Sequence, residues 1–577
     1  MWASYAVPLM VAVTGHRDLV PAEIPAIRDR IRRFLAALSS EDPDRRVRLM
    51  SGLAEGADRL VADAALEVGI PIVATLPMPA AVYREDFVTA ESLAEFERLC
   101  RAAEEIFELP IVPGSSPESL AANSRERARQ YAQLGVFLSA HCHILVALWD
   151  GKPTDQLGGT ADVVRFHHDD VMPGYTPPAT VSRLVLAEDE SDLVYHIVCS
   201  RARENGAPAE GLAALDCWWF TADDREPRTR AIPLRHRRVF QLTREFNRDA
   251  LRYGARIAAE SRPLAGDSDG EVPRGARVIE HGFRIADWLA LHYQKGRLLA
   301  LRSTHVLALL MGIMYVVYSD VLPQRIFIVA FVGFFLIAAA VHVFVGRHAW
   351  HRKYLDYRTL AEGLRVQFYW AVAGVTSGTV SKFVHDNFLQ MRDPDLGWIR
   401  NVMRVAGTRS DFSPNTDPRG LGYTIAHWIG DEINGQLGYF RRKSSERLRR
   451  HRLTERMALS VLWAGIIAVA LFILAPPDLA DAARNPVTVA MGILLLGLGV
   501  RQSYGHSTAD AELTRQYEFM HRIFENAHRR LRRSEDDGER RRVLRTLGDA
   551  ALEEHSEWIL MHRERTTDQG DIWRMSS

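Results

Sequence analysis

The second half of the chain contains four apolar runs that carry no Asp, Glu, Lys or Arg. They occupy positions 303–319, 326–346, 457–477 and 485–500. A membrane-spanning helix needs about 20 apolar residues, although spans as short as about 17 occur. The second and third runs meet that length, and each shorter run is joined to one of them by a link with Pro, Asp or Asn. The pattern predicts two helical hairpins with spans at about 303–321, 326–346, 457–477 and 485–501; a short run would also suit a buried helix.

Each predicted hairpin is preceded by a helical pattern with an aromatic residue and then basic residues, and it is followed by an apolar seam. After the first hairpin the seam recurs at steps of three and four residues through Tyr354, Tyr357, Ala361, Leu364 and Phe368. After the second hairpin it runs through Leu513, Tyr517, Met520, Phe524, Ala527 and Leu531. The membrane part is therefore predicted to be a duplicated unit, at 276–375 and 428–577, with a linker at 376–427.

Residues 1–170 alternate between short apolar runs and helical patterns. Strands are predicted at Leu9–Val13, Arg48–Met50, Ile70–Leu76, Glu105–Ile111 and His143–Leu148, with helices at 22–38, 57–68, 91–103 and 118–139. Nearly continuous apolar runs are typical of parallel strands that are buried on both faces. The fold class is therefore an α/β doubly wound, Rossmann-like N-terminal domain followed by an all-α membrane domain with long cytoplasmic helices.

Residues 171–275 combine strand-like runs with loop-like segments. Strand-like runs occur at Leu184–Leu186, Leu193–Val198 and Trp218–Phe220, between loop-like segments rich in Pro and Gly. This stretch is either an extension of the first domain or a small α/β subdomain.

Lys and Arg are concentrated on one side of the predicted hairpins. They precede the first span, follow the second, precede the third and follow the fourth, whereas each link within a hairpin carries one Arg. The bias predicts a multi-pass protein of the cytoplasmic (inner) membrane with both termini in the cytoplasm. The basic stretch 441–456 either contacts anionic lipid headgroups or forms a solvated helix face.

Composition narrows the functional classes. Lys and Arg equal Asp and Glu at 72 each, so there is no overall positive field for nucleic acid. The four cysteines, Cys100, Cys142, Cys199 and Cys217, lack metal or redox spacing, which fits a reducing compartment. The spans contain no ionisable Asp, Glu, Lys or Arg, which counts against an ion-coupled transporter.

The candidate ligand site lies in the loops that follow the predicted strands, because doubly wound sheets bind ligands at the carboxyl ends of their strands. Glycines there let backbone N–H groups approach an anion. The alternative is that each glycine-rich turn is a structural strand-to-helix loop. The candidate ligand-binding residues are Gly15, His16 and Arg17 after the first strand, Ser51, Gly52, Glu55, Gly56 and Asp58 after the second, and Asp150, Lys152, Gly158, Gly159, Thr160 and Asp162 after the fifth.

No metal site or required cofactor is predicted. His141 and His143 share one face of a strand with no third ligand in view, and His167 and His168 end a helix, where cationic histidine suits the helix dipole. Trp218 and Trp219 are predicted to pack in the fold and not to stack on nucleic-acid bases, because the sequence around them does not alternate basic and aromatic residues.

The N-terminal motifs resemble the SLOG superfamily, whose members bind or process nucleotides. SGLAEGADRLVADAALEVGIPIVATLP resembles the helix-opening segment of the DNA-processing protein A family, and GGTADVV resembles the second glycine motif of the lonely-guy phosphoribohydrolases. The order VTGHRDL, SGLAEGAD, LPMP, HILVALWDGK and GGTADVV is similar to bacterial SLOG domains related to the N-terminal regions of TRPM-type channels. The resemblance covers about residues 5–170, and DLVYHIVCSR and REFNRDA, which look like later parts of the same bacterial group, would extend it to about residue 260. It implies a nucleotide-derived ligand, ADP-ribose-like or a cyclic nucleotide.

One position departs from the phosphoribohydrolase pattern. Those enzymes place a catalytic Glu three positions after their Gly-Thr pair, where this chain has Val163, with Asp162 one position earlier. Valine cannot act as a base or stabilise a developing sugar cation. The departure argues against hydrolysis of that type, although Asp162 could still contact a ribose hydroxyl.

The C-terminal half resembles the SLATT group, which comprises two-span effector domains found with SLOG partners in bacterial conflict systems. RTLAEGLRVQFYW resembles the helix that follows its spans, and LGDAALEEHSEWILMHRER resembles its closing helix. This chain has four predicted spans where the simple group has two. The resemblance implies a homo-oligomeric membrane effector, with antiphage defence as its setting.

Together these features predict a membrane effector whose SLOG domain senses a nucleotide-derived ligand and triggers a transmembrane pore or membrane disruption. The alternative is a membrane-anchored nucleotide- or NAD-processing N-glycosidase that would use Glu55, Asp58 or Asp162. A single-stranded DNA binder is opposed by the neutral charge. The remaining hypothesis is that the spans only anchor a scaffold.

Overall fold

The computed structural model describes residues 6–42, 45–121, 124–153, 156–176, 193–221, 228–265, 272–375, 394–412, 414–474, 477–508 and 510–567. The chain divides into two compact units. The α/β unit contains Met1–Trp288, Thr359–Gly420 and Leu552–Met561, and the helical unit contains Leu289–Arg358, Leu421–Ala551 and His562–Ser577.

A seven-stranded sheet forms the centre of the α/β unit. Its strands are β1 (Leu9–Gly15), β2 (Val47–Ser51), β3 (Ile72–Leu76), β4 (Glu105–Glu108), β5 (Ile144–Trp149), β6 (Leu193–Val198) and β7 (Cys217–Phe220). Their order is β4-β3-β2-β1-β5-β6-β7. All neighbours are parallel except β6 and β7, which are antiparallel. This parallel-dominant sheet with flanking helices confirms the coarse fold class.

The helices that follow the strands cover both faces of the sheet. They are α1 (Ile24–Glu41), α2 (Ala57–Glu67), α3 (Ala80–Tyr83), α4 (Ala90–Ala102), α5 (Arg125–His141) and α6 (Thr160–Asp169). Ile31, Val61 and Phe96 from α1, α2 and α4 pack in one core with Val11 and Val13. Leu138 and Val164 from α5 and α6 pack in a second core with alternate β1 residues. Both faces are buried, which explains the continuous apolar runs.

The predicted strands differ from the observed ones mainly at their ends. β3 begins at Ile72 rather than Ile70, and β4 ends at Glu108 rather than Ile111. The predicted run at Leu184–Leu186 lies outside the described residues. The two later runs extend the same sheet as β6 and β7.

Further helices follow the sheet: α7 (Leu234–Glu260), α8 (Arg274–Asp320), α9 (Arg325–Arg347), α10 (Trp350–Ala373), α11 (Gly397–Phe412) and α12 (Pro418–Thr424). The stretch 376–427, predicted to be a linker, instead contains α11, whose Trp398, Ile399 and Met403 are buried. His143 Nε2 lies 3.1 Å from the Asn401 carbonyl oxygen, and His141 Nδ1 lies 3.2 Å from that of Arg404. The two histidines therefore contact backbone carbonyls of α11.

The helical unit includes the spans and the helices α13 (Gly435–Leu474), α14 (Pro477–Ser507), α15 (Asp510–Arg533) and α16 (Asp537–Thr567), of which α16 also supplies Leu552–Met561 to the α/β unit. Among the described residues, four helices are long and apolar enough to cross a membrane, in Arg274–Asp320, Arg325–Arg347, Gly435–Leu471 and Pro486–Ser507. We name their uncharged runs, at positions 303–319, 326–346, 457–477 and 485–500 of the sequence, spans 1 to 4 in chain order. The apolar part of each of these four helices is not buried inside the protein. These helices identify a membrane protein, as predicted.

The link predicted between spans 3 and 4 is shorter than expected. Residues 475–486 were predicted to form a turn, but α14 already begins at Pro477 and contains Pro486. Proline is tolerated in the first turn of a helix, and the Ala, Leu and Arg residues that follow favour helix. Pro477 therefore marks the start of a helix, whereas Pro486 lies inside that helix.

Span 4 contacts both span 1 and span 3. A Cβ added at Gly312 of span 1 would lie 2.3 Å from Leu496 of span 4, so glycine allows the two helices to approach closely. Arg501 donates to the Thr454 hydroxyl at 3.0 Å. After span 4, the predicted seam on α15 is buried at Leu513, Met520 and Phe524, which confirms that this face packs inside the unit.

Candidate ligand-binding site

The sheet order places the predicted ligand loops at a topological switch point. β1 lies between β2 and β5, and the chain proceeds outward in opposite directions on its two sides. Ligands of open α/β sheets bind in the crevice outside the carboxyl ends of two such strands. Here those ends are Gly15 of β1 and Trp149 of β5, which carry His16 and Asp150 as their next residues.

His16 and Asp150 meet at this switch point although they are 134 positions apart in the sequence. His16 Nε2 lies 3.1 Å from Asp150 Oδ1 and 3.2 Å from the Asp150 backbone nitrogen. Burial lowers the pKa of His16, and the charge of Asp150 opposes that shift. The imidazole is therefore predominantly neutral at pH 7.

Asp150 is a buried carboxylate with one oxygen available for hydrogen bonding. The residue is 1% exposed, and its Oδ1 accepts the Lys152 backbone N–H at 3.1 Å. Within the described part of the chain, its Oδ2 accepts no hydrogen bond. A buried acceptor without a donor is costly, so this oxygen is suited to a hydroxyl or amine of a bound molecule.

Arg17 brings a positive charge to the same loop. Its side chain is 47% exposed and 3.9 Å from Asp86 Oδ2, while Asp86 Oδ1 makes a closer pair with Arg127 at 2.6 Å. The Arg17 guanidinium lies 5.2 Å from the centre of the Tyr131 ring. The half-exposed guanidinium is thus available to an anionic ligand.

The SGLAEGAD segment is more tightly packed than an open phosphate loop. Ser51 is fully buried, and its hydroxyl accepts the Leu53 N–H at 3.1 Å. Gly56 has φ +80°, and a Cβ there would lie 2.3 Å from the Arg17 carbonyl oxygen. The Ala57 N–H donates to the His16 carbonyl at 3.1 Å. This segment therefore fixes the start of α2 against the β1 loop.

Two acidic residues of this segment have distinct surroundings. Glu55 accepts a hydrogen bond from the Ser92 hydroxyl. Asp58 is 8% exposed, and burial raises its pKa to about 7. The Ala54 N–H, 3.4 Å from Asp58 Oδ2, and the charge of Arg17 oppose that rise. Asp58 is therefore near its titration midpoint at neutral pH.

The second glycine motif opens α6. Gly158 has φ +76°, and its lack of a side chain allows α5 to approach, since a Cβ would lie 2.7 Å from the Ala132 nitrogen. Gly159 caps the helix without a side-chain hydrogen bond, and Thr160 is 8% exposed. The first N–H groups of α6 consequently retain the partial positive charge of a helix N-terminus.

Three neighbouring residues have other partners. Asp162 Oδ2 accepts the Gly158 N–H at 3.3 Å. Lys152 donates to the Asn205 carbonyl at 2.9 Å. Val163 is 3% exposed, and a Cβ on Gly135 would lie 2.6 Å from its methyl group. Val163 is therefore part of the hydrophobic core.

The structure also brings in residues that sequence reasoning did not assign to the site. His196 of β6 lies 2.9 Å from the Trp149 carbonyl oxygen, and burial lowers its pKa to about 4. Arg201 donates to Asp18 of the β1 loop at 2.9 Å. Both residues belong to the segment DLVYHIVCSR, with His196 inside β6, which neighbours β5, and Arg201 three residues after its end.

Among the described residues, no group of three His, Cys, Asp or Glu side chains is arranged to hold a metal ion. No protein-family model matches this sequence, and no curated protein is significantly similar to it.

Proposed function

We propose that this protein is a membrane-bound sensor, in which a nucleotide-derived ligand binds at the carboxyl ends of β1 and β5 and controls the membrane-spanning helices. The observation that carries the proposal is the buried Asp150 Oδ2 at the switch point of the sheet, which has no donor among the residues that the structure describes. Four helices able to cross a membrane belong to the same chain.

The ligand class follows from the polarity of the site. Asp150 Oδ2 would accept a hydrogen bond from a ribose hydroxyl, because a carboxylate can accept but cannot donate. Arg17 and the N-terminus of α6 would hold phosphate, since both offer positive charge and N–H donors. A molecule that contains ribose and phosphate, such as ADP-ribose or a cyclic nucleotide, satisfies both requirements.

The membrane half supports an effector more than a transporter. The apolar windows of the four spans carry no Asp, Glu, Lys or Arg, whereas ion-coupled transporters keep such groups at mid-membrane. In this proposal the ligand prefers an arrangement in which spans of several subunits form a pore or disrupt the bilayer. Both termini are cytoplasmic, as the Lys and Arg distribution indicates. The antiphage setting rests on the resemblance alone.

The first test is a thermal-shift measurement on the full chain in detergent. ADP-ribose, cyclic ADP-ribose, NAD, AMP and cyclic di- and oligonucleotides are added in turn, and mass spectrometry records whether each is converted. We expect stabilisation by at least one of them without conversion. Absence of stabilisation by every compound would refute a nucleotide sensor of this ligand class.

A pair of variants locates the site. Arg17→Gln is expected to weaken binding about tenfold or more, because it removes a charge-assisted contact worth about 1.5–3 kcal/mol. Arg98→Gln is the matched control, since its side chain is 49% exposed and is also paired with a carboxylate, Asp63. Equal binding by both variants would show that the ligand lies elsewhere.

A second function is favoured by Asp58. A carboxyl group with a pKa of about 7 is suited to general acid–base catalysis at neutral pH. We therefore retain a membrane-anchored N-glycosidase as the alternative. In that case the same screen would yield a cleaved product, and Asp58→Asn would abolish product formation while binding persisted.

A further inference from the structure

A row of exposed arginines leads directly into span 3. Arg449, Arg452 and Arg456 lie on α13, immediately before its apolar part, and all three are exposed. Within the described part of the chain, none of them forms an ion pair, whereas their basic neighbours use the nearby acids. Lys443 and Arg450 pair with Glu446, and His451 pairs with Glu455.

The three arginines share a helix face with the outward-facing part of the span. Their positions, 449, 452 and 456, continue at steps of three and four through Leu459, Trp463 and Ile466. Residues three and four apart lie on one side of a helix. These three apolar residues are 56%, 56% and 48% exposed. If this face contacts lipid at Leu459 and Ile466, which lie beside the tails, the arginines on the same face lie beside the headgroups of those lipids.

The dimensions agree with this placement. Seven residues of helix rise about 10 Å, which is the distance along the axis from Arg449 to Arg456. The headgroup region on each side of a bilayer is about 5–8 Å thick, and long arginine side chains extend that reach.

We propose that Arg449, Arg452 and Arg456, here called the arginine strip, bind the headgroups of anionic phospholipids. The occupant follows from charge and continuity, because a guanidinium pairs well with a phosphate and the strip is continuous with the lipid-facing side of span 3. The inference rests on the spans lying in a bilayer, and it is independent of ligand sensing by the α/β unit.

The test measures lipid selectivity of the full chain. The protein is reconstituted in phosphatidylcholine vesicles that contain trace spin-labelled phosphatidylglycerol or phosphatidylcholine, and electron paramagnetic resonance gives the relative association constant of each lipid. We expect wild type to prefer phosphatidylglycerol. The double variant R452Q/R456Q should lose about fivefold of that preference per arginine, equivalent to about 1 kcal/mol for each basic residue near the surface.

Matched variants separate specific contact from net charge. K443Q/R450Q removes the same two charges from another face of α13 and should retain the wild-type preference within about twofold, since both residues are paired with Glu446. R452K/R456K should keep most of the wild-type preference for phosphatidylglycerol, because the positive charges remain. Salt at about 1 M should weaken the wild-type preference by screening.

The inference is overturned if R452Q/R456Q keeps the wild-type preference, which would show that the strip is solvated or faces another protein. It is also overturned if K443Q/R450Q loses as much, which would reveal only a response to net charge. Nucleotide stabilisation measured in phosphatidylcholine alone is a separate readout, so failure of the sensor proposal would leave the lipid result unchanged.

Discussion

The sheet and the four spans are built from similar uncharged apolar runs but place their side chains in opposite surroundings. In β1, Val11 and Val13 have no exposed surface. In spans 2 and 3, Leu336 and Leu462 are 60% and 57% exposed. The strands are at most seven residues long and are covered by helices of the same chain. The spans are long enough for a bilayer to cover them, so run length separates the two outcomes.

The largest contrast should come from removing one leucine side chain in each region. Leu49→Ala in β2 should destabilise the α/β unit by about 2–5 kcal/mol, because Leu49 is fully buried and its loss leaves a cavity. Leu462→Ala in span 3 should cost far less, because lipid or detergent tails fill the space. Thermal unfolding of each purified variant in detergent measures the difference. Comparable losses would mean that Leu462 packs against protein.

Introducing a charge should have the opposite result: the variant in a span should lose more than the variant in the α/β unit. Leu336→Arg in span 2 places a guanidinium among lipid tails and should cost about 2.5–3.5 kcal/mol of membrane insertion. Val88→Arg, at a residue of the α/β unit that is 92% exposed, should change stability by less than about 0.5 kcal/mol. The yield of protein in the membrane fraction reports the first effect. Normal insertion of the Leu336 variant would argue that this face of span 2 lines water.

Buried charge provides the next comparison. Asp356 of α10 is fully buried, 2.6 Å from Arg563 and 3.3 Å from Arg352. Burial raises the pKa of Asp356, and the two arginine charges oppose that rise. Asp356→Asn should cost about 2 kcal/mol, below the range of about 3–5 kcal/mol for fully buried pairs, because both arginines retain some contact with water.

Asp417→Asn is the control for that variant. Asp417 pairs with Arg419 at 2.7 Å on the surface, and the hydrogen bond from Arg419 lowers the pKa of Asp417. Exposed pairs contribute little to stability. Thermal unfolding should therefore separate the two variants; equal midpoints would mean that the Arg352–Asp356–Arg563 cluster adds no stability.

The smallest effect concerns pH. Asp58, unlike Asp356, has no ion pair among the described residues, and its pKa is raised from 3.8 to about 7. A raised folded-state pKa gives stability that is complete below the unfolded pKa and is lost as pH rises through 7. Wild type should thus lose about 1 kcal/mol between about pH 6 and pH 8 from this group. Midpoints of thermal unfolding across that range measure the loss.

Asp58→Asn should remove that slope, because asparagine does not titrate. His196 has the opposite sign, since its pKa is lowered to about 4 and it therefore reduces stability as pH falls below 6.5. A slope between pH 6 and pH 8 that persists in Asp58→Asn would assign it to another group.

Local patterns were sufficient for much of the fold. The apolar residues of β1 and of the α15 seam are buried, as their patterns predict. The apolar parts of the spans are not buried inside the protein, as expected of helices that face lipid. The predicted linker at 376–427 contains α11, whose residues Trp398, Ile399, Val402, Met403 and Ala406 recur at helical spacing. Within 475–486 the prolines predict a turn, but Pro477 begins α14 and Pro486 lies inside it.

The sequence predicts where the loops of the candidate site lie, but not the contacts that their residues make. Strand ends and glycines located the loops, but nothing local indicates that the Ser51 hydroxyl is turned inward or that Gly56 is needed for contact with the Arg17 backbone. The pKa of Asp58 depends on burial by residues from several elements. His196 and Arg201 lie in the segment DLVYHIVCSR, whose strand the sequence predicts, but only the pairing of β6 with β5 brings them to the site.

The sequence by itself determined the type and approximate bounds of the main elements and the four apolar spans, because backbone periodicity and run length are local properties. Only the tertiary structure decided that His16 meets Asp150, that one Asp150 oxygen has no donor among the described residues, and that burial raises the pKa of Asp58 to about 7. Hydrogen-bond pairing and desolvation depend on residues that are distant in the chain, and a pattern of neighbouring positions carries no information about them.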